Sequence, residues 1–232
     1  IGIDQIITRV LPDFNLNRIY YCNPAENGTC GSQPWIYTDP LAARQAIVDA
    51  VSAGQLLVNY SGHGGIGVWA QEWLFGNNQV PELANADKLA FTVVIACEVG
   101  DFSHYRYNGL EESLVRHPGG GTVGGFASTT SGLLAGQQAL VEQFYAAVLG
   151  DRVTQAGMTA ALAKIRTYTD ANIAADLADY TVVGHSLTGD PALRLLEPND
   201  DCAAGDGDCD GNIDIVDLQR AIAAWSGAFA GL

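Results

Sequence analysis

The sequence predicts an α/β fold in which a mostly parallel sheet is flanked by helices, with a small second module at the C-terminal end. Continuous apolar segments such as 90–97 have the composition of strands that are buried on both faces. Longer segments with apolar residues at helical spacing alternate with them, which favours crossover connections between parallel strands. A cluster of acidic residues after residue 199 marks the second module.

Each predicted element begins and ends where the apolar pattern does. The first helix stops before Gly54, a residue type that is favoured just beyond a helix C-terminus. The central strands stop at polar loops that contain glycine. The complete assignment has strands at residues 16–22, 55–60, 90–97, 121–127, 180–183 and 192–196, and helices at residues 41–53, 136–149 and 154–168.

Composition limits the classes of function. The 232 residues include 48% hydrophobic residues, which is enough for a packed core. They carry 26 Asp and Glu against 11 Lys and Arg, and the net charge is −15. Nucleic acids and anionic membranes would repel such a chain, so neither is expected as a partner. No apolar run approaches the roughly 20 residues of a transmembrane helix, so none is predicted.

The five cysteines indicate the cellular compartment. Cys22 lies close to Cys30, and Cys202 lies close to Cys209, in turn-rich sequence that favours short disulfides and therefore an exported protein. The alternative is unpaired thiols on loops. The chain starts at Ile1 without an initiator Met, so we expect a processed form or a fragment of a longer protein.

Reactive side chains follow two of the predicted strands. His63 lies in the glycine-rich loop after strand 55–60, and Cys97 lies at the end of strand 90–97. Ligands and reactive groups of open α/β sheets gather at the carboxyl ends of strands. The separation of His63 and Cys97 leaves room for one crossover, so we expect an imidazole beside a thiol at one edge of the sheet.

An imidazole beside a thiol is the arrangement of a nucleophilic dyad. The imidazole can take the proton of the thiol, and the backbone N–H groups of Gly64 and Cys97 can face a developing oxyanion. The alternative is a structural histidine and a core cysteine. The loop after a third strand carries the hydroxyl residues Ser128, Thr129 and Thr130. These residues are candidates for lining a substrate pocket, and the alternative is an ordinary turn.

The motifs around the two residues resemble a known family. Segment 59–65 reads Asn-Tyr-Ser-Gly-His-Gly-Gly, segment 94–102 reads Val-Ile-Ala-Cys-Glu-Val-Gly-Asp-Phe, and segment 189–195 reads Gly-Asp-Pro-Ala-Leu-Arg-Leu. This combination resembles the gingipain-type cysteine peptidases of the caspase-like clan. The resemblance implies a caspase-like peptidase domain at residues 1–197 that lacks an N-terminal part. It also implies that His63 is the general base and acid and that Cys97 is the nucleophile.

One role in the family remains unassigned here. An acidic residue orients the histidine in the family, and Asp4 and Asp39 are the candidates for that role. A different motif is rejected: segment 184–188 reads Gly-His-Ser-Leu-Thr, similar to the nucleophile elbow of α/β-hydrolases. Thr188 stands where that elbow needs glycine, and no histidine follows Ser186 as its triad requires.

The C-terminal acidic cluster has the spacing of a twelve-residue calcium loop. Asp206 and Asp217 are its ends, and Gly211 stands at the sharp turn. A helix with an apolar face follows. Aspartate at the last position makes residues 198–232 resemble a dockerin-type repeat with an EF-hand-like loop, which implies a cohesin-like partner or a cell-surface anchor. A solvated acidic linker is the alternative. The candidate Ca²⁺ ligands are Asp206, Asp208, Asp210, Asn212, Asp214 and Asp217.

Together these features predict a secreted cysteine endopeptidase, extracellular or at the cell surface, that acts on protein or peptide substrates. Its chemistry needs no metal, and Ca²⁺ has a structural role in the C-terminal module. The rival prediction is a non-catalytic caspase-like scaffold or surface adhesion module in which His63 and Cys97 are idle.

Overall fold

A computed structural model describes residues 15–196, which form two compact units. One unit contains residues 15–134 and 184–189, and the other contains residues 135–183 and 190–196. The calcium loop, the boundary at residue 198 and the Cys202/Cys209 pair lie outside the described residues. The first unit contains the predicted sheet.

The first unit has short strands and three helices. Its strands are β1 (Tyr20–Tyr21), β2 (Ile36–Tyr37), β3 (Leu57–Ser61), β4 (Gly64–Gly65), β5 (Val68–Trp69), β6 (Phe75–Gly76), β7 (Ala90–Ile95), β8 (Thr122–Ser128) and β9 (His185–Gly189). Its helices are α1 (Pro24–Asn27), α2 (Pro40–Ser52) and α3 (Leu110–Arg116), and a 3₁₀ turn covers Val80–Glu82.

The main sheet has the strand order β3-β7-β8-β9. The first three strands are parallel, and β9 runs antiparallel to β8, so the prediction of a mostly parallel sheet is confirmed. Every residue of β7 is buried, as its continuous apolar sequence requires. The connection from β3 to β7 contains a small antiparallel sheet of β4, β5 and β6.

Helix α2 packs into the core of this unit. Asp39 caps its N-terminus by accepting a hydrogen bond from the Leu41 N–H, and Pro40 occupies the first turn, where no N–H is needed. Val48 and Val51 of α2 join a cluster that also contains strand, loop and α3 residues. That cluster comprises Val48, Val51, Trp69, Phe75, Val80, Leu83, Val94, Ala96, Val99, Leu110, Leu114 and Ala127.

A disulfide joins Cys22 to Cys30, which confirms the first of the two predicted pairs. It encloses α1 in a short loop between β1 and β2, and these two strands pair in parallel. Cys97 is the free cysteine among residues 15–196.

The prediction of a strand at 180–183 is wrong. These residues form the last part of helix α6 (Ala175–Gly184), and the strand β9 begins directly after it. A short apolar run does not distinguish a strand from one face of a helix. Segment 184–188, which was rejected above as a nucleophile elbow, supplies most of β9. Its polar residues do not have the pattern of a buried strand, so no strand was predicted there.

The second unit is helical. Its helices are α4 (Leu134–Tyr145), continued by a π-helical segment at Ala146–Gly150, α5 (Ala156–Thr169) and α6. The predicted helices at 136–149 and 154–168 are therefore confirmed. Leu162 of α5 packs with Ala147 and Val153 in a small core. Within residues 15–196, no helix is both long enough and apolar enough to cross a membrane.

The prediction of a strand at 192–196 is also wrong. The segment makes one isolated bridge, from Arg194 to Gln155. Carbonyl groups in residues 191–193 also accept hydrogen bonds from the N-terminus of α5. The carbonyl of Leu193 accepts from the Ala156 N–H at 2.8 Å, and that of Pro191 accepts from the Gly157 N–H at 2.9 Å. The first N–H groups of a helix lack partners within it, and this turn provides them.

A buried carboxyl group lies beneath the glycine-rich strand. Glu111 of α3 is fully buried, and Thr92 of β7 donates a hydrogen bond to its Oε2. A Cβ on Gly125 of β8 would lie 2.0 Å from that oxygen, so the strand has glycine where the carboxyl group needs the space. Oε1 has no hydrogen-bond partner among the described residues, and burial raises the pKa of Glu111 to about 7.

Glu111 should therefore make stability depend on pH. The ordinary pKa of 4.5 applies to the unfolded chain, so the unfolded state ionises between pH 4.5 and 7 while the folded state stays protonated. Stability falls across this window. Relative to wild type, Glu111→Gln should become more stable by about 3 kcal/mol as the pH rises from 4 to 8. Urea unfolding at a series of pH values measures this difference.

Glu112→Gln is the matched control for that measurement. Glu112 is the next residue of α3, but its carboxylate is partly exposed and pairs with Arg116. The difference in free energy of unfolding between Glu112→Gln and wild type should change little over the same pH range. A Glu111→Gln difference that is constant from pH 4 to 8 would contradict the assignment of a neutral buried carboxyl group.

Candidate active site

The register of β3 and β7 places His63 and Cys97 at one edge of the sheet. Ser61, the last residue of β3, pairs with Ile95, the last residue of β7. His63 and Cys97 each follow two residues later. Both loops therefore leave the carboxyl ends of neighbouring parallel strands at the same level, as the sequence predicts.

The two loops touch at Gly64. A Cβ at this position would lie 2.8 Å from the Ala96 Cβ, 2.8 Å from the Cys97 carbonyl oxygen and 2.8 Å from the Val99 Cγ2. Real Cβ atoms do not approach other atoms so closely, so the loops can meet only because residue 64 is glycine. The backbone of Gly64, next to the histidine, thus lies against the backbone of Cys97.

The His63 side chain is exposed, and two hydrogen bonds hold its backbone carbonyl group in place. Its carbonyl oxygen accepts hydrogen bonds from the Tyr60 hydroxyl at 2.6 Å and from the Ala70 N–H at 2.8 Å. The Tyr60 ring stacks on Trp69 at 4.5 Å between centroids, and Trp69 is buried. Burial raises the pKa of Tyr60, so its hydroxyl stays protonated and able to donate. Tyr60 and Trp69 are positioning residues that the sequence reasoning did not assign.

Cys97 is partly exposed, and its sulfur contacts the loop after β8. The Gly132 N–H points at Sγ with a nitrogen–sulfur distance of 3.3 Å, and Sγ lies 3.7 Å from the Gly132 carbonyl oxygen. The sequence did not indicate this contact, because glycine has no side chain whose chemistry could be recognised. The one indication of a role for Gly132 was its place in the loop after a strand that ends beside Cys97.

Further hydrogen bonds tie the Cys97 loop to the loop after β8. The Glu98 N–H donates to the Thr130 carbonyl at 3.0 Å, and the Gly100 N–H donates to the Ser128 carbonyl at 2.8 Å. The Ser131 hydroxyl donates to the Glu98 carboxylate at 2.9 Å. Glu98 has a φ of 60°, a left-handed conformation that is uncommon for a residue with a side chain.

The predicted pocket residues lie at the end of β8 and at the start of this same loop. The buried Ser128 hydroxyl donates to the Thr130 carbonyl at 2.8 Å, and the Thr129 hydroxyl donates to the Gly184 carbonyl at 2.9 Å. These two hydroxyl groups are engaged in bonds that shape the loop. Thr130 is exposed.

The remaining predicted site residues lie elsewhere. Asp39, a candidate to orient His63, caps helix α2, and Asp4 lies outside the described residues. Within residues 15–196 no group of three or more His, Cys, Asp or Glu side chains is placed to hold a metal ion. All six candidate Ca²⁺ ligands fall outside that range: Asp206, Asp208, Asp210, Asn212, Asp214 and Asp217.

Replacing Gly64 should separate the two loops. A methyl group in Gly64→Ala meets backbone and core atoms that cannot rotate away, so we expect a loss of about 1–3 kcal/mol in the free energy of unfolding. Gly65→Ala is the matched control, because a Cβ there meets only Val68, at an ordinary 3.7 Å. Chemical denaturation compares the two variants. Equal stability of both would show that the loops are not packed as described.

Comparison with known proteins identifies the family. Residues 2–196 match the family model of peptidase family C25. Gingipain R2 from a strain of Porphyromonas gingivalis is 37% identical over 113 residues, which are 49% of this chain and 13% of that protein. Gingipain R1 from Porphyromonas gingivalis is 41% identical over 64 residues, which are 28% of this chain and 6% of that protein. The chain thus spans a small part of the length of these curated relatives.

Solved structures agree with the sequence match. The crystal structure of the Arg-specific cysteine proteinase gingipain R has a TM-score of 0.58 and 25% identity, and the match covers 67% of this chain and 37% of that chain. A complex of the pro- and mature domains of Porphyromonas gingivalis RgpB has the same TM-score and identity, and the match covers 67% and 38% of the two chains. The predicted resemblance to the gingipain-type peptidases and the α/β fold are confirmed. Because the family model covers most of its length, this chain belongs to peptidase family C25.

Proposed function

We propose that this chain is a cysteine endopeptidase that hydrolyses peptide bonds of protein substrates through Cys97 and His63. One observation carries the proposal: the register of β3 and β7 brings the loops of His63 and Cys97 to the same edge of the sheet, in contact at Gly64. Membership of a peptidase family supports it, as does the similarity to a solved structure that is named a cysteine proteinase.

The reaction begins with proton transfer from the Cys97 thiol to the His63 imidazole. The sulfur attacks the substrate carbonyl carbon, a carbon–sulfur bond forms, and the carbonyl electron pair moves to oxygen. The tetrahedral intermediate then collapses. The carbon–nitrogen bond breaks, and the leaving amine takes the proton from His63. Water, deprotonated by His63, then attacks the thioester carbon. The carbon–sulfur bond breaks, the carboxylic acid product leaves, and the sulfur takes the proton back from His63.

The backbone N–H groups of Gly64 and Cys97 are the proposed oxyanion donors. They belong to the two residues at which the loops touch, so they are held at fixed positions before substrate arrives. Donors that need no reorganisation stabilise a developing negative charge effectively. The close contact at Gly64 thus serves both packing and chemistry.

The proposed substrate pocket lies along the loop after β8. Thr130 is exposed and can face a substrate side chain, whereas Ser128 and Thr129 shape the loop by hydrogen bonds to backbone carbonyls. The loop lies next to Cys97 through the contact of Gly132 with Sγ. This arrangement supports a pocket for the residue on one side of the scissile bond.

Hydrolysis of a quenched peptide library tests the proposal against the non-catalytic scaffold. Cys97→Ala and His63→Ala should each lower the rate by about a thousandfold or more, because nucleophile and base act as one unit. His117→Gln is the control, since His117 bonds to the Leu83 carbonyl in another part of the first unit. Wild-type activity in Cys97→Ala would show that Cys97 is not the nucleophile, and absence of hydrolysis by the wild-type protein would favour the scaffold.

We further propose that the protein acts outside the cell or at its surface. The disulfide between Cys22 and Cys30 supports this location, because such bonds persist in oxidising compartments. Residues 198–232 would form the separate dockerin-like module, following the peptidase domain at residues 1–197. A cohesin-like protein or another surface anchor is the proposed partner of that module.

Calcium binding by residues 206–217 is the testable part of that module. Five carboxylates within twelve residues repel one another until a cation is bound, so Ca²⁺ should bind and change the fluorescence of Trp225, which follows the loop in the sequence. Mg²⁺ should act weakly, because it requires a tighter octahedron. Asp206→Ala should abolish the response. Asp201→Ala, which removes an acid outside the loop, should leave it intact. A response in Asp206→Ala equal to that of wild type would exclude the site.

A further inference from the structure

We propose that the Gly132 amide is a hydrogen-bond donor to the Cys97 thiolate, and that the Ser131–Glu98 hydrogen bond is the positioning device that holds this donor in place. The inference rests on the proposed function, because it adds a group that acts on the same nucleophile. It gives the loop after β8 a role in activating the thiol, besides its role in the pocket.

The contact at Sγ has the chemistry that a thiolate needs. The Gly132 N–H is aimed at Sγ, and the nitrogen lies 3.3 Å away. Hydrogen bonds to a charged acceptor are stronger than those to a neutral one, so this donor bond strengthens once the Cys97 proton has left. Before that, the Gly132 carbonyl oxygen, 3.7 Å from Sγ, can accept from the thiol. His63 supplies the proton acceptor in the proposed dyad, whereas Gly132 stabilises the charge that remains on the sulfur.

The donor is held by the residue that follows the nucleophile. Glu98 adopts a φ of 60°, which persists in a residue with a side chain only where the surroundings fix it. Two hydrogen bonds do so here: its N–H donates to the Thr130 carbonyl, and its carboxylate accepts from the Ser131 hydroxyl. Ser131 is joined directly to Gly132, so the second bond sets the direction of the Gly132 amide.

The Glu98 carboxylate has two opposite effects on ionisation of the Cys97 thiol. A carboxylate one residue from the nucleophile opposes ionisation of the thiol. Its bond to Ser131 acts in the opposite direction by keeping the amide on the sulfur. The two effects are separable by mutation: Ser131→Ala removes the hydrogen bond and keeps the charge, whereas Glu98→Gln removes the charge and keeps an acceptor oxygen.

The test is the pH profile of alkylation of Cys97 by iodoacetamide in the full chain, followed by peptide mass spectrometry. Ser131→Ala should slow alkylation at pH 7 about fivefold and move the midpoint of the profile to higher pH by about half a unit or more. Ser131→Thr keeps a hydroxyl group and should restore the wild-type profile. Glu98→Gln should leave the midpoint unchanged or move it to lower pH.

Matched controls separate the donor from general loosening of the loops. Ser103→Ala removes another serine-to-carboxylate hydrogen bond, from Ser103 to Asp101, and should leave the profile unchanged. Gly132→Pro removes the amide hydrogen itself and should reproduce or exceed the effect of Ser131→Ala. Gly132→Ala keeps the hydrogen and should have a smaller effect. The titratable groups within residues 61–66, 96–101 and 128–134, apart from Cys97, are His63, Glu98 and Asp101, and no Ser131 or Gly132 variant alters them.

The outcomes distinguish this inference from the proposed function. A wild-type profile in both Ser131→Ala and Gly132→Pro, or a slower rate without a shift of the midpoint, overturns the donor role. Loss of peptide hydrolysis in Cys97→Ala would leave the proposed function standing in that case. If the midpoint shifts as expected while Cys97→Ala still hydrolyses peptides, the donor role stands and the proposed function fails.

Discussion

Backbone hydrogen bonds between β3 and β7 set the spacing of the His63 and Cys97 loops. Parallel strands in register lie at a fixed separation along their whole length, so residues equally far beyond their ends emerge side by side. A slip of one residue in this pairing would move one loop along the other and turn its side chains to the opposite face. Gly64 then closes the remaining gap, since no larger residue fits against the Cys97 backbone. The proposed chemistry of these two residues therefore depends on hydrogen bonds between strands that have a purely structural role.

The groups that surround the two proposed reactive side chains form hydrogen bonds with the backbone. Tyr60 holds the carbonyl of His63, and the Thr130 carbonyl holds the amide of Glu98. Backbone atoms lose little entropy when substrate binds, because they are already ordered by the fold. A site built in this way places its donors precisely without long side chains, which explains why many of its residues are small. It also explains why residue types alone reveal only part of it.

The sequence predicted the sheet best where burial governs the residue type. Strand β7 is apolar throughout because both of its faces are covered, and this pattern is visible without a structure. Strand β9 was missed because its residues at 185–189 include serine and threonine, and its pairing with β8 is a long-range interaction that local sequence does not encode. Residues 180–183 were assigned to a strand because a brief apolar run fits one face of a helix equally well.

In the candidate site too, some residues can be named from the sequence and others cannot. His63, Cys97 and Gly64 could be named as candidates from the sequence because imidazole, thiol and glycine types at strand ends are typical of nucleophilic chemistry. Gly132 and the bond between Ser131 and Glu98 were not, because they depend on how the loop after β8 folds back on the thiol. Such contacts leave no spacing pattern in the chain.

The position of β9 has a consequence for how the molecule is synthesised and dissected. The chain leaves the first unit after residue 134, builds helices of the second unit, and returns to the first unit only at residues 184–189. During translation, β8 therefore keeps one edge without its partner until residue 189 has emerged from the ribosome, and exposed edges are sites of wrong pairing. No single cut yields either unit whole. A truncation near residue 134 would remove a strand from the sheet that carries the His63 and Cys97 loops, so a fragment that keeps this sheet whole must extend through Gly189.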